Sequence, residues 1–416
     1  MTLPSDMKSR KMKKSIACRS FFCLLLAILL LSGCAGPAAS NVTDAPQETA
    51  PVESSATPAR YAADYALLWD TLEHDYPYLD YLRGKGIDVD GIRAKYEEKM
   101  KKAQTSEDMV DVLEGIFYEL RNTAHLSLIR QEDFPFYYSV YTAEESISIR
   151  LSSYNAVMQA AQAGYYKLPA EDSPQEADDY YQPREVEIQY FPDCKALCFT
   201  IFSFIQGVDK KVQDDIINAI KEYPEAEHIV FDIAMNGGGS EIYWVQNLVA
   251  PFGEDYYFPM RMYSKDTPLN RQILESRGGY RRTAELQDAP AWAEELGLEL
   301  FHKDSIIVMG WPGIRSSAKR WVLVGPGVYS AAENFVNFCQ RSGWATVAGT
   351  HTSGDGIGID PVLVLLPDSG LLFRFSMVAG EKPDGGMSIE GSEPDLILPG
   401  SDLSDMLDYL REANKD

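Results

Sequence analysis

The chain has 416 residues, with 62 acidic against 38 basic side chains and a formal net charge of −24. That imbalance argues against nucleic acid as a partner and against flat docking on anionic lipid, because both would repel it. The length allows a sizeable core accompanied by a smaller region.

Residues 1–33 read as a leader. A basic stretch (Lys8, Arg10, Lys11, Lys13, Lys14, Arg19) precedes the apolar run FFCLLLAILLL, which is too short to persist as a membrane span. Leu31-Ser32-Gly33-Cys34 resembles the lipobox of bacterial lipoproteins. The resemblance implies cleavage before Cys34, its lipidation, and a chain anchored at the extracytoplasmic face of the membrane. The leader holds six basic side chains and one acidic, so its loss takes the net charge from −24 to −29. Residues 34–58 are small, polar and rich in proline, and are expected to form a flexible tether. Cys194, Cys198 and Cys339 remain for the folded region. They give neither a disulfide framework nor metal-ligand spacing, and no cofactor is implied.

From 59 to 130 the pattern predicts a small helical domain. Tyr65, Leu68, Trp69 and Leu72 recur at helical spacing, as do Met109, Val112, Leu113, Ile116, Phe117 and Leu120. Thr105 followed by Asp108 suggests an N-cap. Residues 131–184 combine Tyr, Ser and acidic residues with little periodicity, and read as an irregular segment, a flap over a site being one reading. From 185 to 400 strands and helices alternate, which predicts an α/β core. VEIQYF, a Pro192-Asp193 turn and ALCFTIFSF form a hairpin, and a helix over about 209–222 leads into HIVFDIA, whose continuous apolar run suits a strand buried on both faces. A helix over 401–416 closes the chain.

Two stretches carry chemistry. VLVGPGVYSAAENFVNFC runs from a strand through Gly-Pro-Gly into a helix with Ser330 at the joint. Ser330 and Glu333 fit a capping box, which alone accounts for a serine there. The same joint suits a nucleophile, because the unpaired amides of a helix start face any oxyanion formed beside it. Asn236-Gly237-Gly238-Gly239-Ser240 follows a buried strand. It reads either as a tight turn or as a loop that brings its amides close to a ligand.

Together, VFDIAMNGGGS and GVYSAAENFVNFCQRSGWATVAGTHTSGDGIG resemble the tail-specific (C-terminal-processing) serine peptidases, whose relatives include the tricorn core protease and the interphotoreceptor retinoid-binding protein. Asp232, Asn236, Gly238 and Gly239 match the Asp-x-Arg-x-Asn-x-Gly-Gly motif, with Ala234 where arginine is usual, and Ser330-Ala-Ala-Glu333 matches the nucleophile motif. The resemblance implies a ClpP/crotonase-like core behind an N-terminal helical domain, acting on a peptide or protein substrate. The general-base lysine of the tail-specific branch is replaced here by Asp355. A carboxylate with a pKa of about 3.9 is a poor base for a hydroxyl near neutrality, whereas a histidine at about 6.5 is well matched. The tricorn branch uses a histidine and a glutamate, and the resemblance places these roles on His125 and Glu390. His351 is the rival base. The tricorn-type serine before the histidine is Ala124, with Thr123 and Ser127 as neighbouring hydroxyls. Asp355 then reads as a turn residue or as a contact for a positive group on the substrate. Amides of Gly237 or Gly238 and of Ala331 are the oxyanion donors expected. About 55 residues between the histidine region and the core are too few for a PDZ module, and none is expected. An inactive binding protein for a peptide or apolar ligand on the same scaffold is the alternative. It is discriminated by whether His125 reaches Ser330.

Overall fold

The computed structural model describes residues 59–143, 150–168, 186–205 and 208–415. The leader, Cys34 and the tether lie outside the described residues.

The helical periodicity becomes α1 (Ala62–His74), α2 (Leu79–Gly84), α3 (Val89–Met100) and α4 (Ser106–Glu119). The predicted stripe of α1 is its buried face, with Leu68, Trp69 and Leu72 fully enclosed. Thr105 caps α4 as its spacing suggests: its hydroxyl accepts from the Asp108 amide, and the Asp108 carboxylate accepts from the Thr105 amide. A short turn, Thr123–His125, leads from α4 into β1 (Ser127–Leu128).

The main sheet has six strands in the order β13-β9-β8-β4-β3-β2. The predicted hairpin is β2 (Glu187–Phe191) antiparallel to β3 (Ala196–Thr200). From β3 onward, β4 (His228–Asp232), β8 (Lys319–Val324), β9 (Thr346–Gly349) and β13 (Leu396–Ile397) all run parallel. Alternating side chains feed two cores. On one face Phe199, Ile229, Phe231, Val322 and Val324 pack against α7 (Lys210–Glu222) and α11 (Ala331–Ser342), and against Trp244 and Leu248 of the π-turns that extend α8 (Glu241–Tyr243). On the other, Cys198, Val230, Trp321 and Leu323 meet Met406, Leu407 and Leu410 of α12 (Leu403–Ala413).

A second sheet, ordered β12-β5-β7-β6, is antiparallel. It is built on the nine-residue strands β5 (Tyr256–Ser264) and β7 (Leu300–Val308), with β6 (Arg281–Arg282) and β12 (Ala379–Glu381) at its edges. α9 (Pro268–Ser276) and α10 (Ala291–Glu295) lie between β5 and β7 in the chain. A third sheet joins β1 to β11 (Leu372–Phe375) and β10 (Val362–Leu365).

Where an irregular segment was expected, the described residues form α5 (Phe134–Thr142) and α6 (Leu151–Ala163). Phe134, Tyr137 and Tyr141 make the buried stripe of α5, and Phe134 stacks on Tyr166 with ring centroids 4.2 Å apart. Tyrosine makes this stretch look polar, yet the rings are buried while the hydroxyls reach backbone carbonyls. Tyr141 donates to Pro361 O at 3.0 Å and Tyr166 to Ile129 O at 2.7 Å. α6 packs on β10 and β11, so these helices brace the third sheet.

Candidate active site

Three adjacent parallel strands, β4, β8 and β9, deliver the glycine loop, the Ser330 joint and the loop bearing Asp355 from their C-terminal ends. Open α/β sheets place their sites at that edge. Asn236 is fully buried and fixes the first loop, donating from Nδ2 to Ile201 O at 3.0 Å and accepting at Oδ1 from the Gly238 amide at 2.9 Å. Gly238 has φ +100°, and a Cβ there would lie 2.7 Å from Tyr329 O and 2.8 Å from Ser330 Cβ. The loop backbone therefore presses directly on the serine, which only glycine permits.

Ser330 is not a helix cap. Its φ of 58° and ψ of −127° differ from the extended geometry of an N-cap, and its hydroxyl makes no capping hydrogen bond. Glu333 turns inward, away from the Ser330 amide. Its Oε1 accepts from the Ser392 hydroxyl at 2.6 Å and from Asn337 Nδ2 at 3.2 Å, and burial raises its pKa above the ordinary carboxyl value.

His125 reaches Ser330, with Nε2 3.1 Å from Oγ. Its Nδ1 lies 2.6 Å from Asp355 Oδ2. An ionised carboxylate only accepts, so Nδ1 carries the proton and Nε2 offers its lone pair to the serine hydroxyl. The carboxylate on the histidine is thus that of Asp355, whose side chain is 1% exposed. Glu390 stands elsewhere: its side chain is 41% exposed and pairs with Lys85 at 3.1 Å. Its turn instead supports the Asp355 turn from behind, Ser388 O accepting from the Asp355 amide at 2.8 Å. His351 is also apart from the serine, its ring bonded to Thr352 O at 2.7 Å and 3.8 Å from Glu393. Nor do Thr123 or Ser127 link the histidine to an acid. Thr123 donates to Leu120 O, and Ser127 to His125 O.

Two groups in the site had no sequence signal of their own. Ser376, at the end of β11, donates to Asp355 Oδ2 at 3.1 Å and lies 3.1 Å from His125 Nδ1. Tyr329, beside the nucleophile position, donates to the same Oδ2 at 3.0 Å and accepts from the His125 amide at 3.1 Å. Burial, then the neighbouring Asp355 charge, pushes the Tyr329 phenol well above its usual pKa, so it stays a donor. Backbone strain converges here too: Ser330, His125 and Asp355 have φ of 58°, 58° and 56°, and Arg121, Asn122 and Ala124 beside the histidine are also positive. Each such residue costs on the order of 1–3 kcal/mol and persists where its surroundings over-determine it.

Of the amides expected to face an oxyanion, that of Gly238 is committed to Asn236 Oδ1, because the buried side-chain oxygen needs a partner. Those of Gly237 and Ala331 have no acceptor among the described residues.

Residues 197–398 match peptidase family S41, and residues 57–117 match the tricorn protease C1 domain. The fold is similar to the crystal structure of a candidate peptidase from Parabacteroides merdae (TM-score 0.51, 19% identity, 83% of this chain and 91% of that one). It is also similar to mature CPAF complexed with lactacystin (TM-score 0.50, 13% identity, 86% of this chain and 98% of that one). No curated protein matches the chain. With its glycine loop, its Ser-Ala-Ala-Glu segment and its tricorn-type helical region now placed, the chain carries a serine peptidase domain of family S41, the tail-specific peptidases, behind a tricorn C1 region.

Proposed function

We propose that the protein is an extracytoplasmic, lipid-anchored serine peptidase working through Ser330, His125 and Asp355. The observation that carries this reading is the chain of contacts from Ser330 Oγ through His125 to Asp355 Oδ2, at 3.1 Å and 2.6 Å. Ser330 Oγ attacks the peptide carbonyl as its proton passes to His125 Nε2. The same proton then goes to the leaving amine, and water hydrolyses the acyl-serine by the reverse path. Asp355 holds the tautomer and stabilises the imidazolium. The amides of Gly237 and Ala331 receive the oxyanion, each donor being worth about 10²–10³ in rate.

A His125 within hydrogen-bond reach of Ser330 is what distinguishes a hydrolase from a binding protein on this scaffold, and the reach favours the hydrolase. The test is intact-mass analysis after reaction with a fluorophosphonate on wild type, Ser330→Ala and His125→Ala. One adduct on wild type, absent from both variants, supports the reading. No adduct on folded wild type refutes it. The anchor rests on the lipobox-like Leu-Ser-Gly-Cys: Cys34→Ser should abolish incorporation of labelled palmitate and release the protein from membranes.

A further inference from the structure

We propose that the Tyr329 hydroxyl is the positioning group that couples the nucleophile joint to the base and its acid, setting both the place and the basicity of His125. The inference rests on the triad reading above.

Tyr329 immediately precedes Ser330, so its backbone is fixed by the same turn that presents the nucleophile. Its own amide donates to Asn236 O at 3.3 Å, which ties it to the glycine loop. From that fixed point one hydroxyl serves two partners. It accepts from the His125 backbone amide at 3.1 Å and donates to Asp355 Oδ2 at 3.0 Å. The phenol ring lies against the imidazole, centroids 4.8 Å apart and planes at 42°. His125 sits in left-handed backbone at φ 58°, in a turn where Ala124 is left-handed too. A residue strained in this way stays put only if something outside its own segment holds it, and Tyr329 supplies that hold from across the fold.

The second partner makes the role electrostatic. Asp355 Oδ2 accepts from His125 Nδ1, Tyr329 and Ser376. Each hydroxyl donor disperses carboxylate charge and weakens its pull on the imidazolium. The titratable groups bearing on this cluster from the packed elements are His125, Asp355, Tyr329, and Tyr76 and Tyr78 from the segment between α1 and α2. Burial keeps all three phenols neutral. Arg121, Lys85 and Glu390 act one layer further out, on Tyr81. Removing the Tyr329 donor therefore leaves Asp355 Oδ2 with His125 and Ser376 alone and concentrates its charge on the imidazole.

Tyr329→Phe removes the hydroxyl and keeps the ring. Two quantities are read on the full protein: the His125 imidazole titration by NMR, assigned against His125→Gln, and the pH dependence of fluorophosphonate inactivation. The His125 titration is expected to move upward by about half to one pH unit. The inactivation rate on its high-pH plateau should fall by about 10- to 100-fold, because the His125 amide loses its anchor and the ring is no longer held against Ser330, with its acidic limb displaced in the same direction as the titration. Ser376→Ala should move the titration in the same sense while leaving the His125 amide held. Tyr329→p-aminophenylalanine, which keeps a donor, should return the titration toward wild type and serves if the phenylalanine variant does not fold. An unmoved titration overturns the proposal, even with a slower rate, because loosened packing alone would give that pair of results. Wild type that titrates normally but takes no label overturns the triad reading instead, and the NMR comparison still decides whether Tyr329 sets the basicity of His125.

Discussion

Asp355→Asn is the perturbation that most directly separates the carboxylate seen on His125 from the one suggested by sequence resemblance. The amide keeps the shape of the side chain and an oxygen that can accept, so the main loss is one negative charge against the imidazolium formed as Ser330 attacks. The Nδ1–Oδ2 contact of 2.6 Å puts the centres of the two charges about 4 Å apart, and at an effective dielectric constant near 20 such a pair is worth about 4 kcal/mol. At about 1.4 kcal/mol per decade this corresponds to about a 10³-fold slower reaction. If the amide turns its NH₂ toward His125 and reverses the tautomer, the loss approaches about 10⁴-fold. Glu390→Gln is the control, since it disturbs only a half-exposed pair with Lys85, worth about 1 kcal/mol or less, and should leave the rate within about twofold. The assay is the second-order rate of fluorophosphonate inactivation followed by intact mass. Asp355→Asn at the wild-type rate, or Glu390→Gln slowed by orders of magnitude, would refute the assignment of the acid.

Three further outcomes follow from the same geometry. Ser330→Gly and Ser330→Ala both lose the hydroxyl and should take no label, but glycine relieves the left-handed backbone, so urea unfolding should find the glycine variant more stable by about 1 kcal/mol. Gly238→Ala places a Cβ 2.7 Å from Tyr329 O at φ +100°, and should lose at least about 2 kcal/mol in the same measurement together with all labelling; wild-type reactivity would show that the loop does not press on the serine. Burial, then the charges of Asp360 and Asp304, pushes the Glu241 carboxyl up to about 8. A carboxyl raised in the folded state favours folding fully below its unfolded pKa, and that contribution fades as the pH climbs from about 4.5 to 8. Glu241→Gln should therefore match wild type near pH 4.5 and exceed it by on the order of 2 kcal/mol near pH 8.5. Equal stabilities at both pH values would remove the raised Glu241 carboxyl from the account.

What the sequence determined by itself was local. The stripe of α1, the Thr105 cap, the hairpin and the buried strands are each written in the spacing of a few neighbouring residues, and periodicity reads such spacing directly. Ser330 and the Asn236 glycine loop were legible for the same reason, each being a strand-to-helix joint with glycines in register. His125 was legible only through resemblance. α5 was hidden because tyrosine reads as polar in a sequence yet buries its ring.

The acid was decided only in three dimensions. Asp355-Gly356 and Glu390-Gly391 are both acidic turns followed by glycine, and nothing local ranks one above the other. The chain leaving β9 carries Asp355 to the edge where β8 presents Ser330, and the Glu390 turn packs behind it through the Asp355 amide and Ser388 O. Gly354 makes that fit possible, since a Cβ there would lie 2.5 Å from Ser388 O. Tyr329 and Ser376 joined the site in the same way, from segments whose own neighbours give no hint of chemistry. Hydrogen bonds among residues more than 200 positions apart, as between His125 and Tyr329, Asp355 or Ser376, depend on how sheets stack, and stacking leaves no period in the chain.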